Sequence, residues 1–90
     1  MAELGIKDKK EIIQEIRKFI IGNFLFGNAS EMVGESDSFM ENGIIDSTGI
    51  LELIEHVEEQ YSITVEDDEL IPENLDSLEN ISAFIQKKNN

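Results

Sequence analysis

Three serines of this 90-residue chain directly follow an aspartate, and each is a candidate for chemistry. A serine hydroxyl acts as a nucleophile when a base lies within hydrogen-bond reach. It can also carry a phosphate where the surrounding backbone stabilises the added charge. The three pairs are Asp37-Ser38, Asp46-Ser47 and Asp76-Ser77.

Nucleophilic catalysis at Ser47 is excluded by the position of His56, the single histidine. If both lie on one helix, nine residues separate them by about 14 Å along its axis, and they point in opposite directions. His56 is then expected to be a solvated surface residue. The absence of cysteine removes thiolate nucleophiles and disulfides, and one histidine leaves too few ligands for zinc. The acidic run Glu66–Glu69 lacks the spacing and central glycine of a calcium loop. We therefore expect no catalytic residue and no metal site.

A phosphate at Ser47 has a clearer physical basis. The first turn of a helix exposes unpaired backbone N–H groups at the positive end of the helix dipole. Asp46 is expected to be the N-cap residue, which would leave the Ser47 hydroxyl pointing outward. Thr48 and Gly49 are small and would give a bulky partner open access. The simpler alternative, that Ser47 merely caps the helix, is left open by spacing alone.

Helical periodicity predicts the elements that position these serines. A first helix begins at Asp8, which forms a capping-box pattern with Glu11, and ends between Gly22 and Gly27. A connection over residues 27–46 follows, and its apolar residues should hold it against the core. The residues that carry these two predictions are Ile12, Ile13, Ile16, Phe19, Ile20 and Phe24 in the helix, and Phe39, Met40, Ile44 and Ile45 in the connection.

The second helix is predicted from Asp46 or Ser47 to about Tyr61, with an acidic face on which Leu51 is an apolar exception. A short helix and a last helix follow, the latter from Asp76 or Ser77 with Glu79 placed for a capping box. The expected fold is all-α, a small four-helix bundle with three main helices and one short one. It forms a single domain over 1–90, with a flexible tail at 1–7 and a frayed end at 87–90.

Negative charge dominates the second part of the chain. The net charge is −13, and residues 26–86 contain 16 acidic residues without a lysine or arginine. Such a surface repels nucleic acid and anionic membranes and favours basic protein partners. An acidic interaction module or DNA mimic that needs no modification remains the alternative. The sequence shows neither a targeting segment nor a membrane span, which predicts a cytoplasmic protein.

The stretch GIIDSTGILELI, residues 43–54, resembles the modification site of an acyl carrier protein. The likeness covers nearly the whole chain, from the first helix and long loop to the closing helix. In that family the serine carries 4′-phosphopantetheine, which a phosphopantetheinyl transferase adds from coenzyme A, and the thiol of this arm holds acyl or aminoacyl groups as thioesters. Carried over by position, the resemblance implies Ser47 as the attachment point, Asp46 as N-cap and recognition residue, and Leu51, Glu52, Glu55 and Glu58 as contacts for partner enzymes.

The resemblance implies a monomeric, non-catalytic carrier. Its partners would be the transferase, an acyl or aminoacyl ligase, and downstream transferases or synthases with basic docking patches. No nucleic-acid partner and no membrane insertion are expected. Many fatty-acid carriers have Asp-Ser-Leu and a further acid where Thr48 and Gly49 stand here, and an apolar contact residue where Glu55 stands. The Gly-Gly-x-Ser of peptidyl carriers is absent. The Asp-Ser-x-Gly form is similar to D-alanyl and other specialised carriers.

Position separates the three serines. Asp76-Ser77-Leu78 matches Asp-Ser-Leu more literally, but only 13 residues follow Ser77, and a helix cap accounts for it better. Ser38 has no helical period after it and should lie in the packed connection. Ser47 alone combines a helix start, small neighbours and an acidic helix face.

Overall fold

The computed structural model describes residues 8–89, so the tail predicted at 1–7 lies outside the described residues. Within this range the chain is all-helical and contains no strand, which confirms the predicted small helical bundle. Two short 3-10 turns, Ala29–Glu31 and Asp67–Glu69, lie in the connections. The helices are α1 (Lys9–Phe24), α2 (Ser47–Tyr61), α3 (Pro72–Leu75) and α4 (Leu78–Asn89).

The predicted helix starts depend on aspartate caps. Asp8 and Glu11 form the expected capping box, in which the Asp8 carboxylate accepts the Glu11 N–H at 2.9 Å. At α2 the Asp46 carboxylate accepts the Gly49 N–H at 2.7 Å. Each cap satisfies a backbone donor that has no partner within its helix, and so fixes where the helix begins.

All four helices and the long connection contribute to one apolar core. Phe39 and Ile45 of the connection are 0% and 2% exposed and Ile44 packs against the core, which confirms these three predicted anchors. Met40, by contrast, is 45% exposed and is wrong as an anchor. Removing the core side chains from water is the main contribution to the stability of so small a chain, since it has no disulfide. The other buried apolar residues are Ile12, Ile13, Ile16, Ile20, Leu53, Ile54, Val57, Tyr61, Leu75, Leu78, Ile81, Phe84 and Ile85.

The start of α4 differs from the prediction. The helix begins at Leu78, and the Ser77 hydroxyl accepts the Asn80 N–H at 3.0 Å. Ser77 therefore caps this helix as predicted, but the capping box between Asp76 and Glu79 is wrong. Glu79 instead forms an ion pair with Lys9 of α1.

Asp76 has a tertiary role in place of the predicted cap. Its carboxylate accepts hydrogen bonds from the Ser38 hydroxyl and from the Met40 N–H, the latter at 3.0 Å. Its backbone carbonyl accepts the Phe39 N–H at 2.9 Å. The long connection carries backbone donors that have no helical partner, and the Asp76 carboxylate accepts one of them. Asp76 is available for this role because Ser77 already caps α4.

The C-terminal residues predicted to fray, 87–90, are helical through Asn89. Lys88 donates a hydrogen bond to Glu69 at 2.9 Å. Together with the Glu66 N–H, which is the larger influence, Lys88 lowers the pKa of Glu69. No helix within residues 8–89 is long and apolar enough to cross a membrane.

Candidate functional site

Ser47 is the first residue of α2, and its side chain is exposed. The cap bond at this terminus comes from Asp46, whose backbone is extended and whose carboxylate accepts the Gly49 N–H. The alternative that Ser47 merely caps the helix is therefore wrong. Ser47 is left as an exposed residue at the positive end of a helix of 15 residues.

The other two Asp-Ser serines are engaged within the fold. Ser38 is half-buried and donates its hydroxyl to the Asp76 carboxylate. Ser77 is only 4% exposed and caps α4. Neither hydroxyl is open to a large partner, which agrees with the predicted separation of the three serines.

Gly49 does not have the predicted role of leaving space for a partner, because it is buried. A Cβ placed there would lie 2.8 Å from Phe24 Cε1 and 2.9 Å from Ile45 Cγ2. The end of α1 and the long connection thus both pack against the first turn of α2 at this point. Access to Ser47 comes instead from the exposure of Ser47 and Thr48 themselves.

An apolar cavity of about 200 Å³ lies beside Ser47, between α2 and α3. Met40 of the connection lies at one side of it, close to the hydrogen bonds that Asp76 makes. The cavity has no signal in the sequence, because its walls come from three separate segments. Its lining residues are Met40, Ser47, Ile50, Leu51, Ile54, Leu70, Ile71, Pro72, Leu75 and Asp76.

A protein-family model matches the region that contains Ser47. The family model described as "Phosphopantetheine attachment site" matches residues 25–85, about two thirds of the chain. The chain belongs to this phosphopantetheine attachment family. None of the curated proteins compared with it is similar enough to count as a relative. The cofactor of the family is covalently attached 4′-phosphopantetheine.

The residues present fit such an arm. An attachment domain needs an accessible hydroxyl, and among the three Asp-Ser serines the fold leaves only that of Ser47 exposed. The exposed first turn tolerates a phosphodiester, and the neighbouring cavity offers apolar surface within reach of whatever is attached there. The matched range also contains the Ser38 and Ser77 hydroxyls, but these make the internal hydrogen bonds described above.

The predicted contact residues on α2 lie in two environments. Leu51 is 55% exposed although it is apolar, and Glu52 and Glu55 are exposed beside it. Glu58 is half-buried, and its carboxylate accepts the Val65 N–H at 2.9 Å. Glu58 therefore also holds the segment that follows α2, a role that differs from the predicted one of partner contact.

His56 is not the solvated residue that was predicted. It is half-buried, and its ring stacks on Phe19 of α1 with centroids 3.9 Å apart and planes 12° from parallel. Burial lowers the pKa of His56, and this effect exceeds the raising effect of Glu59 and Glu15. His56 thus helps to join α1 to α2 in this attachment domain, on a side of α2 remote from Ser47.

Proposed function

We propose that this attachment domain is a carrier protein in which Ser47 bears the phosphopantetheine. It would present acyl or aminoacyl groups, held as thioesters on the thiol of the arm, to the enzymes of a biosynthetic pathway. The observation that carries the proposal is the exposure of the Ser47 hydroxyl at the first residue of α2, within the region that the family model matches.

In the attachment reaction, the Ser47 oxygen forms a bond to the phosphorus that bears pantetheine. The pyrophosphate bond of coenzyme A breaks, and its nucleotide bisphosphate leaves. The hydroxyl proton goes to a base of the transferase. His56, the one histidine of this chain, is nine residues beyond Ser47 and is stacked on Phe19, so it does not reach the Ser47 hydroxyl. The chain itself supplies an accessible hydroxyl and the backbone N–H groups of a helix start.

Once attached, the arm supplies the thiol, and the protein supplies position and recognition. The cavity beside Ser47 supports this role, because its largely apolar walls can shield part of the arm or an apolar group on it from water. A volume of about 200 Å³ suits a small group rather than a long chain.

Partner recognition would use the outer face of α2. Leu51, Glu52 and Glu55 are exposed there, one to two turns beyond Ser47. An apolar side chain surrounded by carboxylates suits a partner surface with a shallow apolar site and basic residues around it. The lack of lysine and arginine from residue 26 to 86 leaves no cation in this part of the chain to weaken the attraction.

The proposal is tested by incubating the chain with coenzyme A and a promiscuous phosphopantetheinyl transferase and measuring the intact mass. We expect the wild type to gain the mass of one phosphopantetheine and Ser47→Ala to gain none. Ser77→Ala, which alters the more literal motif, and Ser36→Ala, an exposed control, should both be labelled. An unchanged mass for the wild type, or labelling of Ser47→Ala, would contradict the proposal and favour an unmodified acidic interaction module.

The docking face is tested by charge reversal on the same helix. Glu52→Lys should slow labelling by several-fold at low salt, because it removes attraction to a basic partner. Glu59→Lys is the matched control: it makes the same charge change about 18 Å from Ser47 along the helix axis. Glu58 is unsuited to this comparison because its carboxylate holds the Val65 N–H. If Glu52→Lys and Glu59→Lys are labelled at the same rate, the transferase does not recognise the position of Glu52 on α2.

A further inference from the structure

Phe26 combines strained backbone with an unusually exposed aromatic side chain. It is 95% exposed, far more than any other large apolar residue that the structure describes. Its φ of 54° is left-handed, a conformation that crowds the Cβ of any residue other than glycine. The residue after a helix cap often adopts this conformation, but glycine or asparagine usually occupies it. Phenylalanine is therefore unfavourable here for the fold on two counts.

The turn that carries Phe26 is held by specific hydrogen bonds. The Gly27 N–H donates to the Ile21 carbonyl at 2.8 Å, and the Asn28 N–H donates to the Leu25 carbonyl at 2.9 Å. Gly27 is left-handed as well, with a φ of 82°. The ring of Phe26 is consequently presented by a defined turn at the end of α1.

This turn follows a residue that packs against the first turn of α2. Phe24, two residues before Phe26, packs against Gly49 of α2 and makes an edge-to-face contact with Phe19 at 6.1 Å. Gly49 is itself two residues after Ser47. The apolar cavity, lined by Ile50 and Leu51, is on the side of α2 that faces α3. Phe26 therefore comes two residues after the point at which α1 contacts the first turn of α2, and it is not among the residues that line the cavity.

We propose that Phe26 is a docking residue for the transferase that modifies Ser47, and that its ring enters an apolar pocket on a basic surface of that enzyme. This inference rests on the proposed function. The transferase is favoured among the partners because the bond it forms is at the Ser47 oxygen itself, so its surface must cover the first turn of α2, against which the end of α1 packs through Phe24. Enzymes that act on the thiol work at the far end of the arm and need not cover this turn.

Charge around Phe26 supports a basic occupant. The sequence from Phe26 to Gln86 contains only acidic charges, so no lysine or arginine lies along the chain between Phe26 and Ser47. A buried aromatic ring surrounded by complementary charges is the arrangement in which single residues contribute most to protein–protein affinity. The left-handed backbone at Phe26 destabilises the free chain. Such a residue is expected where its favourable contacts form only in the complex with a partner.

The test is the rate of labelling of Phe26→Asn, measured with coenzyme A and the same transferase that labels the wild type. Asparagine tolerates the left-handed backbone and removes the ring. We expect kcat/KM to fall at least tenfold, mainly through KM, while the thermal midpoint stays equal or rises. Phe26→Tyr keeps the ring and should retain most of the rate.

The outcomes separate the docking inference from the carrier proposal. A wild-type chain that is never labelled contradicts the carrier proposal, and the docking inference with it. A labelled wild type and an equally fast Phe26→Asn variant overturn the docking inference and leave the carrier function intact. A slow Phe26→Asn variant with a lowered midpoint would show that Phe26 supports the fold, which also overturns the inference.

Discussion

Replacing Gly49 by alanine tests whether the end of α1 and the long connection really meet at the first turn of α2. The new Cβ would lie 2.8 Å from Phe24 Cε1 and 2.9 Å from Ile45 Cγ2. Phe24 is only partly buried and can move outward, but Ile45 is a branched, buried residue with little freedom. Ile45 therefore decides the cost of the substitution.

The expected free-energy change combines two opposing effects. Adding a methyl group to a packed site costs about 1–3 kcal/mol. Alanine in place of glycine within a helix contributes about 0.5–1 kcal/mol in the favourable direction. Gly49→Ala should thus lower the free energy of unfolding by up to about 2.5 kcal/mol, and a loss of 1 kcal/mol corresponds to roughly 4–8 °C in the thermal midpoint for a chain of this size.

Gly22→Ala is the matched control, since Gly22 lies in the last turn of α1 and nothing is within 4 Å of its ideal Cβ. This variant should be about 0.5–1 kcal/mol more stable than the wild type, because the helix gains alanine without a clash. Urea unfolding followed by circular dichroism measures both variants on one scale. If Gly49→Ala is as stable as Gly22→Ala, the packing described for the first turn of α2 is incorrect.

Three further predictions concern polar side chains of the fold. Asp76→Ala should lower the free energy of unfolding by about 1–3 kcal/mol in urea titrations, because its carboxylate accepts two hydrogen bonds from the long connection; a change below about 0.5 kcal/mol would contradict that role. Burial lowers the pKa of His56 against the raising effect of Glu59 and Glu15, so the folded state binds this proton less readily than the unfolded state. The free energy of unfolding of the wild type, measured relative to that of His56→Phe, should accordingly be highest above about pH 6.5 and decrease as the pH falls below that value. A difference between the two proteins that is independent of pH would refute this. Burial and a hydrogen bond to Glu15 raise the pKa of Tyr61, the only tyrosine, so phenolate absorbance should be missing at about pH 10, where a free phenol titrates; a normal titration of the folded chain would exclude the buried Tyr61–Glu15 contact.

The elements that the sequence predicted are those that depend on local rules. Apolar spacing and an aspartate followed three residues later by glutamate located α1, because both act within one or two helical turns. The same reasoning placed Asp46 as the cap of α2 and Ser77 as the cap of α4. Phe39 was recognised as an anchor because a large aromatic side chain within a polar segment is stabilised by packing against the core.

The features that the sequence did not predict arise where separate segments meet. Gly49 resembles a small neighbour that leaves space beside Ser47, but its size is required by the packing of Phe24 and Ile45, and the contact with Phe24 of α1 has no local sequence signal. His56 was placed in solvent because no local pattern indicates a ring on α1 against which it stacks. The cavity escaped prediction for the same reason, since Met40 and Leu70 approach α2 from different connections.

Attachment at Ser47 should change the stability of the fold very little. A phosphodiester would add negative charge to a chain whose net charge is already −13. At the start of a helix, attraction between the dipole and the phosphodiester is favourable by about 0.3–1 kcal/mol. Repulsion between the phosphodiester and the adjacent, exposed Asp46 carboxylate is unfavourable and of comparable size. More distant acids are screened beyond about 8 Å at physiological salt. The driving force for attachment must therefore come from the pyrophosphate bond of coenzyme A, while the fold contributes an accessible hydroxyl and the N–H groups of a helix start. A carrier benefits from this balance, because loading and unloading then proceed on one folded structure that partners continue to recognise.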